Sequence, residues 1–140
     1  MRNIFFLLAT LVFVTCHHPS PSSSTLSGNT LETTSWKLVA LNPATDSLAS
    51  LTQRPTMRLD SGKVKGFGGC NTYFGSYSIQ NNSIHFSGIV STKMFCMHAS
   101  AVESSLFKVF GVADHFRIKN NQLELFKETD LLAAFEAAEN

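Results

Sequence analysis

The side chains in this sequence best suited to chemistry are sulfurs: Cys16, Cys70 and Cys96, with Met94 and Met97 flanking the last of them. The run Met94-Phe95-Cys96-Met97-His98 offers thioether, thiolate and imidazole donors, the set a soft cation such as Cu(I) prefers. A simpler use of the same cysteine competes with it. Three cysteines in an exported chain divide into one for a lipid and two for each other, and closing the loop from Cys70 to Cys96 would stabilise a fold by roughly 3 to 4 kcal/mol. A bridged Cys96 is no ligand, and Met94, two residues before it on the same strand face, is then expected in the core. Two unpaired buried thiols are the alternative. His17-His18 supplies only two donors, too few for a tight metal site.

Catalytic arrangements are harder to assemble. Nucleophilic catalysis needs a Ser or Cys beside a base and an orienting acid, and the sequence holds no G-x-S-x-G turn and no Cys-His signature. Asp46, Asp60, Glu103 and Asp114 fall singly into different elements, so no carboxylate pair is apparent for acid/base work. The expectation is a non-enzymatic protein without a cofactor or a metal.

A chain of 140 residues has room for one domain. Apolar residues make up 44% and charged residues 15%, and twelve Phe against one Trp and two Tyr point to a Phe-rich core. The formal charge of +1 includes Arg2, and without it the remaining Lys and Arg equal the Asp and Glu in number. Without a Lys/Arg cluster to displace counterions from phosphates, nucleic acid is not an expected partner.

Residues 1–15 read as a signal peptide, with Arg2 at the start and an apolar run from Ile4 to Val14 broken only by Thr10. A spanning helix needs roughly 20 apolar residues, and His17, His18 and Pro19 end this run too soon. Phe13-Val14-Thr15-Cys16 resembles the lipobox of bacterial lipoproteins, departing from it at Phe13, where Leu is preferred, and at Thr15, where Gly, Ala or Ser is preferred. That resemblance implies a lipidated Cys16 as first residue of the mature chain, a membrane anchor and a domain in the periplasm. Secretion with Cys16 lost or free is the alternative. Residues 16–33, rich in Ser, Thr and Pro, are expected to form a flexible tether, leaving 34–140 for the domain.

Within that domain, short alternating segments separated by turn residues predict an antiparallel sheet. Trp36, Leu38 and Ala40 share a parity that would put them on one face of a first strand, and Thr56 to Asp60 resumes the alternation before Ser61-Gly62 turns the chain. The Asn pairs Asn81-Asn82 and Asn120-Asn121 sit where two-residue hairpin turns need left-handed backbone. One helix is expected from Ser100, where Glu103 stands at capping-box spacing. Val102, Leu106, Val109 and Phe110 then repeat on one face, and Gly111 can end the helix. Leu131 to Phe135 fits either a strand or a short helix. Tyr73 and Tyr77 share a strand face that Phe74 does not. Phe74 is expected in the core, with a recognition patch beside Ser76 and Ser78 as the alternative.

Three stretches in order carry a family resemblance. Gly69-Cys70-Asn71-Thr72-Tyr73-Phe74-Gly75-Ser76-Tyr77 matches G-C-N-x-Y-x-G-x-Y, Thr92-Lys93-Met94-Phe95-Cys96 matches T-x-M-x-C, and Glu103 and Phe107 follow on the helix. The chain resembles the META (HslJ-like) family over about residues 34–136, departing from it at Met97, where Pro is frequent. The resemblance implies a mainly β, α+β fold: a small antiparallel barrel-like sheet packed against one α-helix. It also implies an envelope lipoprotein associated with heat shock and stress, without established enzymatic activity. Its partner would be the membrane through Cys16, together with an envelope protein or a glycan. A periplasmic carrier of a small ligand or soft metal is the second functional reading.

Overall fold

The computed structural model describes residues 30–138. The signal peptide, Cys16 and most of the tether lie outside them. Eight described strands run β1 (Ser35–Leu41), β2 (Thr56–Asp60), β3 (Lys63–Phe67), β4 (Thr72–Gln80), β5 (Ser83–Ser91), β6 (His115–Lys119), β7 (Gln122–Lys127) and β8 (Asp130–Ala137), with one α-helix, α1 (Ser100–Val112), between β5 and β6. Each strand pairs antiparallel with the next, and β1 pairs with β8 to close a barrel. The mainly β, α+β class with a single helix is the architecture the sequence predicts. The undecided tail is strand β8.

Alternation explains the wall. In β2, Met57 and Leu59 face in while Thr56 and Arg58 are half-exposed and Asp60 is exposed, the period of two that a half-buried strand shows. In β1, Trp36 and Leu38 are fully buried, but a register shift against β8 falls between Leu38 and Ala40. That irregularity hands the inward position to Leu41, so Ala40 does not continue the predicted face. The hairpin turns use the Asn pairs unequally: both Asn120 and Asn121 take positive φ, whereas at the first turn only Asn81 does.

The thinnest seam is β5–β6, where Ser83 faces His115 and bonds run from Ile84 N to the Asp114 carbonyl and from Phe116 N to the Asn82 carbonyl. Helix α1 packs beside it. Val102, Leu106, Val109 and Phe110 are buried as their spacing predicts, and Phe110 lies against Phe86 of β5 and Tyr73 of β4 at ring separations of 4.8 and 5.4 Å. Two details differ from expectation. The N-cap is Ala99 without a side-chain bond; the Ser100 hydroxyl donates to the Cys96 carbonyl and Glu103 turns away to another partner. Gly111 does not end the helix, which continues to Val112 before Ala113 adopts extended backbone.

Residues 30–33, placed in the tether by composition, belong to the folded unit. Leu31 is buried and its carbonyl accepts the Trp36 indole N–H at 3.0 Å. Glu32 bridges to Leu59, and Thr33 N donates to the Leu59 carbonyl. A short polar stretch hides one apolar side chain among many Ser and Thr, so average composition misses the boundary.

Candidate functional site

Between β3 and β4 the chain passes through Gly68-Gly69-Cys70-Asn71. Gly69 sits at φ 110°, a conformation L side chains rarely adopt, and a Cβ on Gly68 would fall 2.6 Å from Glu103 Oε2. These two glycines let the turn approach α1. Asn71 and Glu103 are then the buried polar side chains among the described residues, and they bond to each other. Asn71 N donates to Glu103 Oε2 at 2.6 Å and Asn71 Nδ2 donates to Oε1 at 2.8 Å. The same Nδ2 reaches the Met94 carbonyl at 3.1 Å, while Asn71 Oδ1 accepts from Thr92 Oγ1 and Met94 N, both at 2.7 Å. All four bonding capacities of the carboxamide are filled. One residue beside it, Cys70 is bridged to Cys96 with their Cα atoms 5.7 Å apart.

The sequence-predicted residues therefore gather into one fastening. Gly69, Cys70 and Asn71 form the turn; Thr92, Met94 and Cys96 form the segment tied to it; Glu103 anchors α1 to both. Met94 departs from expectation. β5 ends at Ser91, so Met94 is no longer on a strand; its backbone N–H and carbonyl bond Asn71 while its side chain is 62% exposed. Phe95 and Met97 are also exposed.

The G-x-Y half of the motif lines the barrel. Tyr73 is buried against Phe107 and Phe110, and its hydroxyl donates to the Thr56 carbonyl at 3.0 Å. Burial pushes its phenol well above the usual range. Gly75 sits at a register shift against β5, where a Cβ would meet Ile89 Cδ1 at 2.6 Å. Tyr77 donates to the Glu32 carboxylate, and burial, followed by that bond, pushes its phenol from 10.0 up to about 12. The fold favours the neutral phenol, so this stabilisation is complete below pH 10 and is lost as pH rises through 12. Thermal unfolding followed from pH 9 to 12 should show Tm falling above pH 10, and Tyr77→Phe should flatten part of that fall.

Chemically this arrangement is structural. Both oxygens of Glu103 accept bonds from Asn71, and both cysteine sulfurs are bonded to each other, so this carboxylate and these sulfurs are engaged in holding the turn to α1. Reduction, or Cys70→Ala with Cys96→Ala, should destabilise the domain by about 3.5 kcal/mol in chemical denaturation. Thiol labelling of the folded, unreduced protein should leave both cysteines unmodified. Rapid modification of both would instead mark a reactive or metal-binding thiol.

A family model described as META domain matches residues 29–139. The chain belongs to the META domain family. No curated protein matches it. Among solved structures, this META domain is similar to an NMR structure of a protein from Burkholderia xenovorans, at TM-score 0.63 and 20% identity, covering 88% of this chain and 99% of that one. A crystal structure of a DUF4847 family protein from Bacteroides vulgatus ATCC 8482 aligns at TM-score 0.61 and 11% identity, covering 79% of this chain and 96% of that one. At such identities the likeness concerns the fold alone.

One surface of the META domain follows the alternative reading rather than the expected one. Phe74, expected in the core, is 65% exposed, because Tyr73 and Tyr77 take the inward positions around the Gly75 shift. Across the outer wall it continues a row in which Arg58 faces Lys65, Lys65 faces Phe74, and Phe74 faces Val90. The available signal was parity: two tyrosines of a family motif four apart leave the residue after the first pointing out.

Proposed function

We propose that this META domain is a lipid-anchored, non-catalytic interaction module of the bacterial cell envelope, working under stress. The observation that carries this reading is the use of the family motif. Asn71, Glu103, Cys70 and Cys96 are engaged in internal bonds, while large apolar side chains such as Phe74 and Phe95 are left on the surface. A motif that holds a scaffold together and a surface that displays apolar groups suit recognition better than turnover. The amino-terminal segment, with its apolar run ending in Thr15-Cys16, supports the anchor.

Mass spectrometry of the mature protein tests the anchored part: acyl chains on Cys16 as first residue are expected. An unmodified chain beginning near Ser20 would replace the anchored module with a secreted one. The carrier reading has less support, because the bridge removes the thiolate from the Met94–His98 donor run and Trp36, Leu38, Tyr73, Phe110 and Phe135 fill the interior.

A further inference from the structure

Charge is unevenly divided along this barrel. Residues 54–98 carry Arg54, Arg58, Lys63, Lys65 and Lys93 against Asp60, and a carboxylate brought to them from before this stretch, Glu32, lies beside Leu59 and accepts the Tyr77 hydroxyl. From residue 99 to 138 carboxylates outnumber Lys and Arg, six to four. The ion pairs follow the same division. Asp114 with Lys127, Glu124 with Arg117 and Glu136 with Lys37 all lie on β1, β6, β7, β8 and their connections. Arg58, Lys63, Lys65 and Lys93 form no ion pair with any described carboxylate.

The exposed apolar side chains share the basic half. Phe74, Val90, Met94, Phe95 and Met97 fall between residues 54 and 98; Ile79 lies in the same stretch but at its far end, beside Asp114 and His115, and among the described residues only Val112 lies elsewhere. Register orders several of them along β4 and β5: Phe74 faces Val90, Thr92 N bonds the Thr72 carbonyl one row on, and Met94 follows beyond the strand end. An open groove of about 520 Å³ runs between Arg58, Lys65 and Phe74. Unpaired cations beside projecting aromatic and thioether groups are what an interfacial membrane contact requires: the cations meet headgroup phosphates and the apolar groups enter the acyl boundary.

We infer that the β2–β5 wall, with Arg58, Lys65 and Phe74 at its centre and Phe95 exposed on the segment that follows β5, docks on an anionic phospholipid surface. The inference rests on the anchored reading for its setting. If Cys16 holds the bilayer, the chain from there to Thr30 spans at most roughly 50 Å, so the domain never leaves the neighbourhood of headgroups. It also joins the barrel beside this wall, since Glu32 bridges to Leu59 of β2. Docking adds orientation to tethering: the acidic β6–β8 side is turned away from the bilayer.

The test uses the full chain purified from membranes, carrying Phe95→Trp as reporter against the fully buried Trp36. Flotation with phosphatidylcholine vesicles reads the anchor without charge. Quenching of the introduced indole by brominated acyl chains, in phosphatidylethanolamine vesicles containing phosphatidylglycerol, reads docking. Flotation together with quenching is expected, and Arg58→Gln with Lys65→Gln should lower the docked fraction roughly tenfold or more at unchanged thermal stability. Flotation without quenching overturns docking and leaves the anchor standing. Quenching without flotation in neutral vesicles overturns the anchor and leaves docking standing. Indole emission that shifts to the blue with rising protein concentration in the absence of lipid overturns the bilayer as occupant and gives the wall to a second copy of this chain.

Discussion

Leu106→Asp is expected to cost about 5 kcal/mol or more, a large part of what holds a domain of this size folded. Leu106 has no exposed surface and sits in the α1 face formed with Val102, Val109 and Phe110. The charged carboxylate would enter the buried cluster of hydrocarbon and aromatic side chains that Leu106 belongs to. Leu106→Ala separates the two contributions, since it removes side-chain volume without introducing a charge and should cost about 3 kcal/mol. Urea denaturation of the three proteins checks both values. The loss should be concentrated in helix packing, so near-ultraviolet dichroism from Tyr73 and the adjoining phenylalanines should collapse before the far-ultraviolet signal does. An Asp variant with an unchanged midpoint would mean that this helix face does not pack on the sheet.

Much of this fold was legible because hydrophobic periodicity reports which side faces in. The α1 face and the alternation of β2 follow directly from that rule. Parity is fragile, however, wherever a strand slips. The shift after Leu38 moves the inward position to Leu41, and nothing in the sequence of β1 announces it, because Ala40 and Leu41 are both apolar. Glu103 shows a different ambiguity. Three residues after Ser100 it satisfies the spacing of a capping box, yet a carboxylate at that place on a first turn is equally free to reach sideways, and the Gly68-Gly69 turn gives it Asn71 to reach.

The candidate site was legible as a set of residues and illegible as a geometry. Both halves of the family motif stand out, and cysteine counting brings Cys70 to Cys96. Counting does not show that Met94 contributes its backbone and turns its side chain outward. That placement follows from the loss of strand structure after Ser91, which frees the segment to wrap around the Asn71 carboxamide. The unpaired cations of β2 and β3 were hidden for another reason. A total charge near zero averages a basic half with an acidic one, and only the barrel topology makes those halves two different surfaces.

Asn71→Ala is the second substitution of large effect, expected at about 2 to 4 kcal/mol. It removes four side-chain bonds and leaves a Glu103 oxygen, the Met94 N–H and carbonyl and the Thr92 hydroxyl without their partner. The Glu103 oxygen is buried and carries most of the loss, since a buried polar group left unsatisfied costs about 1 to 3 kcal/mol with charged groups at the upper end, whereas the exposed Thr92 and Met94 can bond water instead. The disulfide would still hold Cys70 beside Cys96, so the turn stays near α1. A paired set of variants separates bonding from volume. Asn71→Asp keeps the acceptor for Thr92 and Met94 but sets a second carboxylate against Glu103, and like charges at hydrogen-bond distance destabilise. Adding Glu103→Gln to that protein restores a donor opposite the new carboxylate, so the double variant should be more stable than Asn71→Asp alone. The Met94 carbonyl still lacks its donor in the exchange, which keeps the rescue partial. Equilibrium denaturation of the unsubstituted protein, Asn71→Asp, Glu103→Gln and the double variant gives the coupling energy between positions 71 and 103, expected to exceed about 1 kcal/mol for groups in one network. Additive losses would show that the two side chains act separately and that the family motif does not join turn to helix.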